Sequence, residues 1–191
     1  MKRRQRVWPV VVVLTVVSWT LSGCTPTHGK LAPFVPTPQG VVETMLKLAE
    51  VGPGDVVYDL GSGDGRIVIT AARMFGAKGV GFEIDEALIQ GAQDSARRAG
   101  VSHLVEFRNQ DLMTVDLSPA TVVTLYLVQD ANLRLRPRLL SQLRPGARVV
   151  SHDYTMGDWA PSRVERVREM GTLHDDHTIY LWRIGAGSPK P

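Results

Sequence analysis

The stretch that decides the fold is Val56-Val57-Tyr58-Asp59-Leu60-Gly61-Ser62-Gly63-Asp64-Gly65-Arg66. It begins as an apolar run ended by a carboxylate, which is typical of a parallel strand buried on both faces. Three glycines at alternate positions then allow a tight turn and a close approach of the backbone to a ligand. Asp64 is placed to cap a helix that follows. The pattern predicts a strand, a glycine turn and a helix, the place where open α/β sheets bind small molecules.

The charges of this stretch indicate a cationic ligand. A dinucleotide site has the spacing G-x-G-x-x-G, because the pyrophosphate rests on a helix N-terminus. Here Arg66 stands where the third glycine is expected, and Asp59 and Asp64 would repel a pyrophosphate. S-adenosylmethionine carries a sulfonium and an amino group and no phosphate. The residues therefore favour S-adenosylmethionine as the cofactor over NAD, and they disfavour an NAD-dependent oxidoreductase.

Two further carboxylates follow the next two predicted strands. Glu83 lies near the end of the strand 79–84 and can hold both hydroxyls of a ribose. Asp111 follows the strand 105–110 and can accept a hydrogen bond from an adenine amino group, although acids after strands are also common turn residues. Acidic residues at three successive strand ends, together with the glycines, form a far more specific pattern than the glycines alone.

This ordered set resembles the Rossmann-like methyltransferases that use S-adenosylmethionine. The resemblance covers roughly residues 36–184, and its motifs are Asp59, Glu83, Asp111 and the glycine turn. It implies a doubly wound, mostly parallel seven-stranded α/β sheet with a C-terminal antiparallel hairpin, over a domain of residues 39–185 and a tail of 186–191. The cofactor-binding residues that we expect are Thr37, Asp59, Gly61, Ser62, Gly63, Gly65, Glu83 and Asp111.

The remaining elements are predicted from periodicity and turn residues. Residues 164–170 and 178–184 alternate as strands do and form the expected hairpin, which distinguishes this fold from a dehydrogenase domain. Residues 121–128 are predicted as the fourth strand, and 147–153 as the fifth. Pro137 is predicted to occupy the first turn of a helix that runs to Leu143.

A narrower resemblance concerns the acceptor. Pro36-Thr37-Pro38, the helix that follows, and the stretch 58–66 are similar to protein lysine methyltransferases that modify the ATP synthase c subunit and the adenine nucleotide translocase. Val149-Val150-Ser151-His152-Asp153 and Trp159-Ala160-Pro161 resemble bacterial relatives of that subgroup. The resemblance implies a protein substrate, with lysine as the methylated residue. We expect residues 36–38 to fold over the cofactor, with the Thr37 hydroxyl offered to the carboxylate of the cofactor.

Tyr126 and Asp153 are the candidate catalytic residues. Tyr126 lies at the C-terminal end of the predicted fourth strand, where the resemblance places the transferred methyl group; it is otherwise a half-buried core aromatic. His152 and Asp153 end the fifth strand and either shape the acceptor site or are ordinary strand-end polar residues. The run His174-Asp175-Asp176-His177 contains residue types that ligate metals, but we expect it at a solvated hairpin tip. No metal is predicted.

Charge excludes nucleic acid as the expected partner. The predicted pI of 9.2 comes from the first 23 residues, which hold four basic residues and no acidic one. The rest of the chain carries 18 basic and 19 acidic residues, a formal charge of −1. No cluster of lysines and aromatics indicates a phosphate-binding face. The oligomeric state is unknown from sequence, and a monomer is assumed.

The N-terminus indicates an attachment to the membrane. Residues 1–6 are basic, 7–21 are apolar but short for a membrane span, and Leu21-Ser22-Gly23-Cys24 resembles a bacterial lipobox. We therefore expect residues 1–24 to be a signal peptide with lipidated Cys24, or a membrane anchor, followed by a proline-rich tether of 25–38. Since S-adenosylmethionine is made in the cytosol, the side of the membrane that the domain faces is left open.

The function expected from the sequence is therefore the S-adenosylmethionine-dependent N-methylation of a protein, on lysine, at or near a membrane. Two alternatives remain at this point. One is an anchored lipoprotein that binds an adenosyl ligand without turnover, and the other is a methyltransferase that acts on a small molecule.

Overall fold

The fold is a single seven-stranded sheet with helices on its two faces. It is seen in a computed structural model that describes residues 32–185 and 187–189. The predicted lipobox at Cys24 and the first half of the predicted tether, residues 25–31, lie outside these residues. The elements in chain order are α1 (Gln39–Leu48), β1 (Val56–Leu60), α2 (Arg66–Phe75), β2 (Lys78–Glu83), α3 (Glu86–Arg98), β3 (Val105–Asn109), a short 3-10 helix (Leu112–Thr114), β4 (Val122–Leu125), α4 (Gln129–Gln142), β5 (Arg148–His152), β6 (Arg163–Arg168) and β7 (Asp176–Arg183).

The strand order is β3-β2-β1-β4-β5-β7-β6. β1 to β5 run parallel, whereas β7 pairs antiparallel with both β5 and β6. The predicted doubly wound sheet with a C-terminal antiparallel hairpin is therefore confirmed. The chain moves outward from β1 to β3 and then returns to place β4 on the other side of β1. A crevice consequently opens at the carboxyl ends of β1 and β4, where ligands bind in sheets of this kind.

Apolar residues on both faces of the sheet hold it between the helices. On one face, Leu135 and Leu139 of α4 pack with Trp182 of β7 in one apolar cluster; on the other, Val41 and Met45 of α1 pack in a second. All five side chains are fully buried. Burial on both sides explains why β1 and β4 are mostly apolar rather than alternating strands.

The prediction that Pro137 would start a helix is wrong. α4 begins eight residues earlier, at Gln129, and Pro137 lies inside it. Proline removes one backbone hydrogen bond from a helix, which costs stability. Here Ala131, Leu135 and Leu139 bury one side of α4, and we infer that this packing outweighs the cost. The residue at the cap position of α2 is Gly65 rather than the predicted Asp64, although Asp64 Oδ1 accepts a hydrogen bond from the Arg66 backbone N–H at 3.3 Å.

Candidate active site

A cleft at the carboxyl ends of β1, β2 and β4 brings together most of the residues predicted from sequence. Eight of them line it: Thr37, Asp59, Gly61, Ser62, Gly63, Glu83, Asp111 and Tyr126. Gly65 and Asp153 do not line this cleft. Several other residues that line the cleft were not predicted from the sequence, and these include Phe34, Val35, Arg66, Leu112 and Leu127.

The glycine turn is shaped by left-handed backbone at Gly61 and Gly63, with φ of 84° and 53°. A Cβ at Gly63 would lie 2.4 Å from the Phe34 ring, so the ring packs on the turn because this residue is a glycine. Gly65 also has left-handed backbone, with φ of 77°, and its predicted role in cofactor binding remains a prediction. A Cβ there would lie 2.5 Å from the Phe107 ring, which shows that Gly65 lets the start of α2 pack against β3.

Asp59 is a buried carboxyl group at the floor of the cleft. It is 2% exposed, and its Oδ1 accepts a hydrogen bond from the Thr124 hydroxyl at 2.8 Å. Burial raises the pKa of Asp59 to about 7, against the opposing effect of the Thr124 hydrogen bond, and the charges of Asp64 and Glu83 raise it further. A cationic ligand in the cleft would favour the ionised form of this group.

We expect the ligand-free Asp59→Asn variant to gain stability relative to the ligand-free wild type as the pH rises from 5 to 8. Because the folded-state pKa of Asp59 lies above its unfolded value, the folded protein holds the proton more tightly between pH 4 and 7. The protonated Asp59 carboxyl group therefore makes its full contribution to stability below the pKa that it has in the unfolded chain. This contribution is lost as the pH rises through about 7. Asparagine carries no such proton. Melting temperatures of both proteins across this range are the measurement, and a constant difference between them would contradict the prediction.

The two other predicted acids are tied to the backbone around them. Glu83 Oε2 accepts from the Gly63 N–H at 3.0 Å, and Oε1 accepts from the N–H groups of Ile84 and Asp85 at 2.8 and 3.1 Å. Asp111 Oδ1 accepts from the Met113 N–H at 2.8 Å. Both carboxylates are thus held in fixed positions at the rim, and their predicted contacts to the ribose and the adenine remain predictions.

The segment 32–37 forms a wall over the glycine turn. Its anchor is Arg66, whose guanidinium pairs with Asp64 at 2.5 Å and donates to the Thr37 carbonyl at 2.8 Å. Thr37 is 3% exposed, and its hydroxyl lies 3.4 Å from His152 Nδ1. Its predicted contact to the cofactor's carboxylate remains a prediction. No local sequence pattern could reveal Phe34 or Arg66 as wall residues, because their contacts lie about 30 residues apart in the chain.

S-adenosylmethionine suits the chemistry of this cleft. Four of its lining residues are acids, namely Asp59, Asp64, Glu83 and Asp111, and the lining arginine, Arg66, is already paired with Asp64. The Ser62 hydroxyl is buried and has no hydrogen-bond partner in the part of the chain described, so a polar group of a ligand can form a hydrogen bond with it. Phe34, Phe82 and Leu112 supply apolar surface of the kind that an adenine ring requires.

Tyr126 joins the cleft to a second group of polar residues behind it. Its ring lies 3.8 Å from the His152 ring, centre to centre. Burial raises the pKa of Tyr126, and the charges of Asp153 and Tyr154 add to this effect, so the phenol stays protonated. Tyr126 lines the cleft, and its predicted catalytic role remains a prediction. Burial also lowers the pKa of His152 to about 4, partly offset by Asp153.

The expectation of a solvated hairpin tip at residues 174–177 is wrong for its last residue. His177 lies in β7, is 2% exposed, and contacts His152, with 2.9 Å between Nδ1 and Nε2. His174 is 43% exposed and lies beside Asp153. The pairing of β5 with β7 brings these residues to His152, which sequence spacing could not indicate.

The fold and the site together define a class I methyltransferase: a Rossmann-like sheet ended by an antiparallel strand pair, with an acidic glycine-turn cleft at its switch point. Comparison with known proteins agrees. A family model for the ANTKMT methyltransferase domain matches residues 59–163. The chain is 44% identical to a protein-lysine N-methyltransferase of Saccharolobus islandicus over 80% of its own length and 94% of that protein. The chain belongs to this methyltransferase family.

Two other relatives broaden the comparison. A lysine N-methyltransferase of the ATP synthase c subunit, from Xenopus laevis, is 34% identical over 69% of this chain, which spans only 58% of that protein. The crystal structure of an RNA methyltransferase from Salinibacter ruber, in complex with S-adenosyl-L-homocysteine, superposes with a TM-score of 0.74. It is 55% identical and covers 82% of this chain and 98% of its own. The protein is thus an S-adenosylmethionine-dependent methyltransferase.

Proposed function

We propose that the protein transfers a methyl group from S-adenosylmethionine to the side-chain amine of a lysine in a protein. The observation that carries this proposal is the match to a protein-lysine N-methyltransferase over 94% of its length. The relatives named for the ATP synthase c subunit and the adenine nucleotide translocase support the same acceptor chemistry.

The cleft supports a cationic acceptor. A lysine approaches as an ammonium, which the excess of acids over arginine in the cleft lining attracts at long range, whereas the same excess would repel a phosphate. Tyr126 and Tyr154, whose rings lie 6.5 Å apart, offer aromatic faces on which an ammonium can rest.

The reaction depends mainly on the alignment of the methyl donor with the acceptor amine. The cofactor supplies an electrophilic methyl group on a sulfonium, and the protein must hold the amine in line with it. The amine must first lose its proton. Apolar walls at Phe34, Val35 and Leu127 favour this step, because desolvation lowers the pKa of an ammonium. In this proposal Tyr126, which lines the cleft, orients the amine through its hydroxyl.

RNA is the second candidate acceptor, because the similar protein from Salinibacter ruber is named an RNA methyltransferase. Charge weighs against it, since the chain beyond residue 23 has a formal charge of −1 and the cleft is acidic. Proteins that bind RNA depend on basic surface for most of their affinity.

The acceptor can be identified by transfer of a tritiated methyl group to extracts of a strain that lacks the protein. We expect the label to be removed by protease, to survive ribonuclease, and to appear as methyl-lysine after acid hydrolysis. The Glu83→Ala variant, which we expect to bind the cofactor weakly, serves as the inactive control. Label removed by ribonuclease would reject the lysine proposal in favour of RNA.

We also propose that residues 1–31 keep the enzyme at a membrane, so that its substrate is membrane-associated. The support is the basic and apolar leader with the lipobox-like Cys24. In the described part of the chain, residues 32–185 and 187–189, no helix is long and apolar enough to cross a bilayer.

A further inference from the structure

Behind the wall that Thr37 and Tyr126 give to the cleft, an aspartate and three histidines converge. β5 ends at His152, and Asp153 follows it in left-handed backbone with φ of 60°. This backbone turns the Asp153 carboxylate back beside the His152 ring, an arrangement that residues other than glycine adopt at some cost. His177 comes from β7, and His174 from the connection between β6 and β7. His152 and His177 are almost completely buried, at 0% and 2% exposed.

One oxygen, Asp153 Oδ2, is the centre of this cluster. It lies 3.2 Å from His152 Nε2, 3.2 Å from His174 Nε2 and 3.9 Å from His177 Nδ1. His152 Nε2 and His177 Nδ1 are themselves 2.9 Å apart. His152, Asp153 and His177 thus each present one ligand atom, all within 4.8 Å of one another.

The opposite nitrogen of each ring already has an oxygen partner. His174 Nδ1 donates to the Asp176 carbonyl at 2.8 Å, which fixes the proton on Nδ1 and leaves a lone pair on Nε2. His177 Nε2 lies 3.1 Å from the Thr172 hydroxyl. That hydroxyl has carbonyl acceptors for its own proton, on Glu169 at 3.0 Å and His174 at 2.6 Å, so it accepts from His177.

His152 and Asp153 are oriented in the same way. The Thr37 hydroxyl is 3.4 Å from His152 Nδ1 and can accept its proton, which leaves a lone pair on Nε2. Asp153 Oδ1 accepts from the Thr178 N–H at 2.8 Å, so Oδ2 is the oxygen that faces the rings. With the ring protons placed in this way, lone pairs on His152, His177 and His174 face one carboxylate oxygen. A cation bound among these acceptors would remove the repulsion between them.

From this arrangement we propose that His152 Nε2, Asp153 Oδ2 and His177 Nδ1 bind a divalent first-row transition metal ion, of which zinc fits best. Ligands about 2.0–2.1 Å from a tetrahedral ion lie about 3.3–3.4 Å from one another. The three separations here, 2.9, 3.2 and 3.9 Å, bracket that value. Imidazole and carboxylate ligands suit zinc, and outer hydrogen bonds of the kind made by Thr37, Thr172 and Thr178 orient metal ligands.

We assign His174 as the fourth ligand, and its ring would have to turn toward the ion, because the set of ligand atoms within 4.8 Å of one another comprises those of His152, Asp153 and His177. His174 Nε2 already contacts the same Asp153 oxygen, and at 43% exposure its ring has room to adjust. With this fourth ligand the ion links the end of β5, the start of β7 and the connection between β6 and β7. It also fixes the His152 ring, against which the Tyr126 ring packs with 3.8 Å between the ring centres. Because Tyr126 lines the cleft, the ion would also hold this part of the cleft wall in place.

The test is a metal titration of the full-length protein. Metal content is measured on the purified protein; the protein is then stripped with a chelator, its folded state is checked by circular dichroism, and Co²⁺ and Zn²⁺ are added. We expect one ion per chain, a visible Co²⁺ spectrum of tetrahedral intensity that Zn²⁺ abolishes, and a higher melting temperature with Zn²⁺. Stripped wild-type protein that is folded and binds neither ion would overturn the proposal.

Variants then locate the ion. Asp153→Asn and His177→Gln keep the size of each side chain and should lower Co²⁺ affinity at least about tenfold, the loss that even outer partners cause. His103→Ala removes an exposed histidine far from the cluster in sequence and should bind Co²⁺ as wild type does. If Asp153→Asn or His177→Gln bound Co²⁺ with wild-type affinity, the assigned ligands would be wrong. These measurements do not depend on the methyl acceptor.

Discussion

Glu83→Ala should lower the affinity for S-adenosylmethionine by about ten- to a hundredfold, since hydrogen bonds to a charged group contribute about 1.5–3 kcal/mol. Two effects add. The carboxylate is the predicted partner of the ribose hydroxyls, and it also accepts from the Gly63 N–H at 3.0 Å, which holds the glycine turn in place. Calorimetric titration with S-adenosylmethionine and S-adenosylhomocysteine measures the loss.

Glu86→Ala is the matched control. Glu86 is an exposed acid in the first turn of α3, three residues from Glu83, and its removal changes the net charge by the same amount. It should leave the cofactor affinity within about twofold of wild type. Glu83→Ala that stays folded and binds the cofactor as tightly as Glu86→Ala does would place the ribose elsewhere.

The part of this site that the sequence predicts is the part carried by strand ends. Asp59, Glu83 and Asp111 each follow or end a strand of the parallel sheet, and carboxyl ends of parallel strands meet at one edge. Correct assignment of β1 to β3 is therefore enough to place all three at the same cleft. The three glycines are recognised for the same reason, although only the structure shows that Gly65 packs on Phe107 while Gly61 and Gly63 line the cleft.

What the sequence could not predict depends on pairings between distant segments. Phe34 packs on Gly63, and Arg66 donates a hydrogen bond to the Thr37 carbonyl. No local periodicity in the sequence indicates contacts between such distant segments. The acids and histidines around His177 are typical of a solvated loop, but the antiparallel pairing of β7 with β5 buries this residue beside His152. The prediction at Pro137 is wrong because the packing of α4 outweighs a local helix-breaking signal.

Two truncations should separate the wall of the cleft from the leader that precedes it. Deleting residues 1–31 should preserve cofactor affinity, because every described residue of the cleft remains. Deleting residues 1–38 should lower it at least about tenfold. This longer deletion removes Phe34 from the glycine turn and Thr37 from both Arg66 and His152, so the cleft loses one wall and becomes open to water. Titration with S-adenosylhomocysteine measures both.

The same pair of proteins tests the membrane proposal without relying on cofactor binding. If residues 1–31 hold the enzyme near its substrate, the shorter deletion should methylate detergent-solubilised substrate as wild type does and intact membranes more slowly, because tethering raises the effective concentration of the two partners. Equal rates on intact membranes would remove the leader from substrate selection. Equal cofactor affinity in the two truncations would instead remove residues 32–38 from the site, and with them Phe34 as a wall that desolvates the acceptor amine.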